Sequence, residues 1–429
     1  MWRSIVTGTA ATALAAIVLP AAVQASEISG DITIWSWDIG AAALQDNVAS
    51  FEAANPGVSV TVDDLGNAQV HDRLLAACAA GGVGLPDIVS VQNRRAEVFW
   101  LQFPSCFTDL TELGYDDEVA ALFPDYKRTE LEVGDARYAM PWDTGPVVMF
   151  YRRDYYEAAG ISPDDIETWD DFIEAGKAVM EANDGVVMTQ ATLNSDAEFF
   201  EMIGNENGCT YFSEDGETVT LNSPACAEAL DVVKRMYDEG IMTAADWSGK
   251  LQSAAAGIVA THMFGGWYEG SIRPNVPEDQ AGSWGVYRMP SVKEGGPRAA
   301  NFGGSALLIP ATSENPEAAF AYLLHAVGTP EGQVTMLREQ GLVPSLLTAL
   351  EHPYVQEPLE FWGGQAIWTD VLETLPDIMQ VRGTPHYGEA NTIMARVQLA
   401  YLNGEYASAE EALADAAQQI SFASGLPLQ

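Results

Sequence analysis

The chain of 429 residues carries 20 basic against 61 acidic residues, a formal net charge of −41. So acidic a surface repels phosphate backbones and anionic headgroups, which excludes nucleic acid as a partner. Hydrophobic residues make up 48% of the chain, enough for two domains, each with its own core.

The first residues, MWRSIVTGTAATALAAIVLPAAVQASE, hold one arginine, an apolar small-residue run and the small-residue site Val23-Gln24-Ala25. This is the pattern of a secretory signal peptide over residues 1–25, cleaved after Ala25. No cysteine adjoins the cleavage point, so a soluble exported protein is expected rather than a lipid-anchored one. Cys78, Cys106, Cys209 and Cys226 then face an oxidising compartment, where an even number suits disulfides. Proximity favours Cys78 with Cys106 and Cys209 with Cys226, although four cysteines allow three connectivities. The acids are scattered rather than gathered in runs, which reads as a solvated surface; a cationic ligand is the alternative.

After the leader, Ile32 and Ile34 alternate as a strand. Leu44, Val48 and Phe51 recur at helical spacing until Asn55-Pro56-Gly57. Val58, Val60 and Val62 alternate again, a helix follows around 73–78, and LPDIVSVQ supplies a third strand. Strand and helix in alternation predict a parallel sheet with helices on its faces, in which ligands collect at the carboxyl ends of strands. Those ends carry Trp35, Trp37 and Asp38; Gly66, Asn67 and Gln69; and Gln92, Asn93 and Arg94.

In AMPWDTGPVVMFYRRDYYEAAG, Trp142, Asp143 and Thr144 are fenced by Pro141 and Pro146 ahead of the apolar run 147–151. Prolines resist the middle of a sheet, so 141–146 is expected to be an ordered connection outside any ladder. A second α/β series begins at 147, with a helix face at Trp169, Phe172, Ile173, Gly176 and Val179 capped by Thr168, and a strand at 186–188. Leu230, Val233 and Tyr237 mark a helix that Gly240 ends, and 316–326 is alanine-rich and helical. With no floppy linker between the two units, the expectation is two lobes sharing crossings, the first of them at 139–146.

Catalytic motifs are absent: there is no H-E-x-x-H, G-x-S-x-G, P-loop or G-x-G-x-x-G. His71, His262, His325, His352 and His386 lack metal-ligand spacing, so neither metal nor cofactor is expected. A glycosidase needs only two carboxylates across a cleft, which 61 acids can supply. Tryptophan beside turn residues is abundant, at Trp35, Trp37, Trp142, Trp267, Trp362 and Trp368. A flat apolar face in a polar rim suits a sugar, whose C–H face stacks while its hydroxyls bond to carboxylates, amides and arginine.

The segments DITIWSWD, FEAANPGVSV, LPDIVSVQ, YAMPWDTGPVVMFYRRDYYEAAGI, TWDDFIEAGK, FGGWYEGSIRPNVPEDQAGSWGVYRMP, AANFGGSALLIPATSENPEAAFAYL and TPEGQVTMLREQGLVPS occur in this order. Together they resemble the extracellular solute-binding proteins of ABC sugar importers, the group that includes maltose-binding protein, over the whole mature chain. The resemblance implies an α/β, two-lobed periplasmic binding protein fold: residues 26–143 and 302–343 in the N-terminal lobe, 144–301 and 344–429 in the C-terminal lobe. It implies a periplasmic monomer without catalytic activity that closes on a di- or oligosaccharide and delivers it to the permease subunits of an ABC transporter. Carried over by position, the ligand-binding residues are Trp37, Asp38, Gln92, Asn93, Arg94, Trp142, Asp143, Thr144, Trp267, Tyr268, Gly303, Gly304, Ser305 and Trp362. Trp362, Trp368 and 384–387, where the family's C-terminal helices approach the cleft, match the family less closely. Arg152-Arg153 and Tyr155-Tyr156 depart from it; paired tyrosines serve as ferric-ion ligands in a related class, but here they fall in an amphipathic helical turn that predicts packing. A polyamine or other cationic ligand, and a secreted glycoside hydrolase, stay open as alternatives.

Overall fold

The computed structural model describes residues 28–129, 131–379, 381 and 384–429. The predicted signal peptide lies outside the described residues. Strand β1 (Gly30–Ser36) buries Ile32, Ile34 and Ser36 on one face. Helix α1 (Asp38–Ala54) stops at Asn55, where the following Pro56 disfavours helical backbone. β2 (Val58–Asp64), α2 (Asn67–Ala79), β3 (Ile88–Gln92) and α3 (Asn93–Gln102) complete the predicted series. β1 pairs in parallel with both β2 and β3, placing Ile32 beside Val60 and Ile34 beside Ile88.

Past short helical turns, β4 (Ala139–Pro141), β5 (Asp143–Thr144) and β6 (Val147–Arg152) carry the chain into the second lobe. The expectation of a connection outside any ladder fails here. Pro141 faces Ala306, and the Trp142 N–H donates to the Ser305 carbonyl at 3.1 Å. Pro141 thus occupies the antiparallel position whose N–H points away from the partner, so its missing donor breaks no ladder bond.

In the second lobe, α4 (Trp169–Ala182) starts at the predicted Thr168 cap, closed reciprocally by Asp171. The strand expected at 186–188 begins three residues later, as β7 (Thr189–Ala191); Val187 makes only an isolated bridge to Val259. Helices α5 (Glu198–Glu206) and α6 (Pro224–Asp238), strand β8 (Met242–Ala244) and helix α7 (Trp247–Ala256) follow, with Gly240 in left-handed backbone behind α6. β6 lies antiparallel between β9 (Thr261–Gly265) and β10 (Trp284–Arg288), and β7 pairs with β8 in parallel.

The chain then returns. β11 (Ser305–Leu308) inserts between β3 and β4, giving the first lobe the order β2-β1-β3-β11-β4. Helices α8 (Pro316–Ala326) and α9 (Pro330–Gln340) cover that lobe before β12 (Val343–Pro344) pairs with β5 at the third crossing. α10 (Tyr387–Leu402) and α11 (Ala409–Ser424) finish the second lobe against α6. The disulfides are Cys78–Cys106 and Cys209–Cys226, the pairing proximity favours. Tyr156 packs as predicted, its hydroxyl shared with Thr261 and Tyr287. No helix among the described residues is long and apolar enough to cross a membrane.

Candidate functional site

At the end of β1 the backbone of Trp37 is extended and that of Asp38 turns into φ 46°, the one left-handed non-glycine conformation among the described residues. That turn starts α1 and leaves Asp38 exposed, its N–H donating to Asp64 Oδ1 at 3.1 Å. Burial, and then the Asp64 charge, lift the Asp38 carboxyl above its ordinary range. The half-buried Trp37 ring lies 5.3 Å from the ring of His71. His71 Nδ1–H donates to the Asn67 carbonyl and Nε2 accepts the Gln92 N–H at 3.2 Å, an arrangement that needs the neutral imidazole. Burial first, and the nearby Arg95 and Arg94 charges as well, depress its pKa to about 4.

His71 therefore holds Trp37 beside the start of α3. There Gln92 turns from strand to helix, and its Oε1 has no protein partner. Asn93 is buried, accepting from Lys127 Nζ at 2.7 Å, while its N–H donates to the Gly304 carbonyl. Arg94 reaches outward. Its guanidinium lies over the ring of Phe302 at 5.2 Å and donates to the Tyr387 hydroxyl at 2.7 Å.

The crossing residues divide by the pleat, since successive strand side chains point to opposite faces. Asp143 faces the buried Lys127 and accepts the Ser305 N–H at 2.7 Å; burial raises its pKa, opposed by Lys127. Trp142 faces the other way, into the core, with its indole N–H on Met336 Sδ at 3.1 Å and only 2% of its surface exposed. Thr144 is buried too, sharing a 2.7 Å bond with Tyr126.

The return crossing places glycine where side chains must come close. Gly303 and Gly304 have φ of 112° and 92°. A β-carbon on Gly303 would stand 2.5 Å from Trp267 Nε1, and one on Gly304 would stand 2.6 Å from Lys127 Nζ. The freed space lets the Trp267 N–H donate to the Phe302 carbonyl at 2.7 Å, with the half-exposed Trp247 ring 5.8 Å away. Trp267, Trp247 and Phe302 thereby form an aromatic wall, of which Phe302 meets the Arg94 guanidinium.

Of the expected site residues, the structure brings together Trp37, Gln92, Asn93, Arg94, Asp143, Trp267, Gly303, Gly304 and Ser305. Asp38 stands at the rim. Trp142, Thr144, Tyr268 and Trp362 are core residues. Tyr268 is fully buried with its hydroxyl on His262, and Trp362 donates to the buried Glu269 at 3.3 Å. Trp368, weakly matched from the start, is buried as well. His71, Lys127, Trp247, Phe302, Asp196 and Glu201 went unrecognised; Trp247, alone among them, carried the signal of an indole beside small residues.

Two α/β lobes, joined by three neighbouring crossings with amide, cationic and indole side chains converging between them, define a ligand-binding protein of the bilobal class. The chain belongs to the bacterial extracellular solute-binding protein family, whose model it matches over residues 36–334. It is 30% identical to a lactose-binding protein of Rhizobium radiobacter, over 82% of this chain and 84% of that one. To an arabinooligosaccharide-binding protein of Bacillus subtilis it is 28% identical, over 76% of each. Among solved structures, a binding protein of B. animalis subsp. lactis in complex with β-1,6-galactobiose superposes with a TM-score of 0.79 at 22% identity, over 94% of this chain and all of that one. The GacH receptor of Streptomyces glaucescens gives the same TM-score at 19% identity, over 92% and 98%.

Proposed function

We propose that the protein is the periplasmic substrate-binding component of an ABC sugar importer. It takes a di- or oligosaccharide between its lobes as a monomer and passes it, unmodified, to the permease subunits. The lobes divide as residues 26–143 with 302–343 and 144–301 with 344–429. The observation that carries the reading is that part-exposed indoles flank the crossings, Trp37 held by His71 beside Gln92 and Trp267 with Trp247 against the Phe302 carbonyl, while Arg94 lies over the Phe302 ring. Apolar planes beside orienting donors and acceptors are what a pyranose or furanose requires. The lactose- and arabinooligosaccharide-binding relatives support a sugar of more than one ring.

A polyamine fits the site poorly. The surface is acidic, yet the carboxylates between the lobes already have cations, Asp143 facing Lys127 and Asp196 and Glu201 facing Arg94, which leaves them less to offer a cationic guest. The test is a thermal-shift screen of the mature chain against lactose, galactobiose, arabino-oligosaccharides, monosaccharides and spermidine. A ligand at about 100 times its Kd adds about 2.7 kcal/mol, a shift of a few degrees. A sugar-only response supports the reading; a response to spermidine alone overturns it. Release of shorter sugars on prolonged incubation would replace binding by glycoside hydrolysis.

A further inference from the structure

Arg94 belongs to the first lobe, but its partners belong to the second. Its Nη1 donates to the Tyr387 hydroxyl at 2.7 Å and lies 3.5 Å from Glu201 Oε2, while Nη2 lies 3.9 Å from Asp196. The Tyr387 hydroxyl is in turn 2.9 Å from both Glu201 oxygens. The guanidinium is further clamped between the rings of Phe302 and Tyr387, at 5.2 and 5.3 Å. These contacts join α3, α5 and α10 across the space that a ligand between the lobes would enter.

We propose that Arg94, Tyr387 and Glu201 form an interlobe latch that holds the crevice shut without ligand and takes up a proton as it closes. The groups facing Glu201 are Asp196 from the loop before α5, Tyr211 from the loop after it, Tyr387 on α10 and Arg94 on α3, with Arg95 next along α3. Two carboxylates thus share one partly buried guanidinium, because Arg95 is exposed to solvent. Two like charges around one cation, with Glu201 the more buried of the two, favour keeping one proton on it. Burial first, and the Asp196 charge second, raise Glu201 from 4.5 to about 7, against the opposing pull of Arg94. Opening the lobes returns Glu201 to water and to its ordinary value. The closed form thus gains its full advantage below about pH 4.5 and loses it as pH rises through about 7.

The latch lies in the proposed sugar crevice, but its test uses no sugar, so either idea can fail alone. Small-angle X-ray scattering of the unliganded protein at pH 5.5 and pH 8.5 reads the ratio of closed to open forms. The wild type should lose about thirtyfold in that ratio at the higher pH, from the uptake of one proton. Glu201→Gln keeps the bonds but not the titration and should stay compact at both values. Arg94→Gln should be open at both. Tyr387→Phe, which removes one hydroxyl, should also be open and stands in for Arg94→Gln if that variant loses its folded circular dichroism. A wild type with the same radius of gyration at both pH values overturns the proposal, as does a Glu201→Gln variant that keeps the wild-type response or a Tyr387→Phe variant as compact as wild type.

Discussion

Replacing Gly303 by alanine tests how the aromatic wall is held. Its φ of 112° lies in a region that residues with a β-carbon rarely enter, a penalty of about 1–3 kcal/mol. The new methyl would also meet Trp267 Nε1 at 2.5 Å, so the indole must swing away and give up its bond to the Phe302 carbonyl. That bond is worth about 1 kcal/mol. Together these give a loss of about 2–4 kcal/mol in urea unfolding. In a Trp267→Ala background the steric part disappears and only the backbone part survives, so the double-mutant cycle should show a coupling of about 1–2 kcal/mol. If Trp267 is the stacking face proposed above, calorimetry should show sugar affinity falling about tenfold for Gly303→Ala, about 1.4 kcal/mol. Equal penalties in the two backgrounds, or unchanged affinity, would refute the argument.

Lys250 is fully buried against Glu198 and donates to Thr192 Oγ1 at 2.8 Å. Lys250→Met, which strands the carboxylate, should cost about 3–5 kcal/mol in urea unfolding, and Lys250→Met with Glu198→Leu should recover most of it. Glu206, which accepts the Val292 N–H, is pushed up by burial to about 8. Its protonated form favours the fold, so its contribution is complete below about pH 4.5 and fades as pH rises through 8. Glu206→Gln should therefore flatten the fall in stability between pH 5 and pH 8, and an unchanged slope would count against it. Thr168→Ala removes the cap of α4 and should lower the unfolding free energy by about 1 kcal/mol, read from the urea midpoint at unchanged slope.

The parts of the fold legible in the sequence are those governed by local chemistry. Pro56 ends α1, Thr168 with Asp171 starts α4, and Pro316 opens α8, each through its own backbone or side chain. Site membership follows different rules. Trp142 and Asp143 are neighbours in sequence, and the pleat sends them to opposite faces, so a stretch that looked like one set of ligand contacts sets one carboxylate against Lys127 and Ser305 and one ring in the core. Trp362 likewise borders glycines and acids, yet its N–H is satisfied by the buried Glu269. Glu201 stands 107 residues from Arg94 and carries no motif, and Tyr387, 293 residues away, lies in a segment that the resemblance marks only loosely; the packing of α5 and α10 brings both to Arg94.

The position of β11 has a consequence for the order of assembly. Because it is wedged between β3 and β4, the sheet that begins at Gly30 has a gap beside β3 until Leu308 arrives, and the larger part of the second lobe's chain lies in between. During that interval the edge of β3 offers unpaired amides to any passing strand. Neither lobe can be cut out as a contiguous fragment and fold by itself. Pairing at such long sequence separation also slows refolding. A newly made chain thus stays unfinished for most of its length, and its first sheet closes only when a strand from its last third joins those of its first.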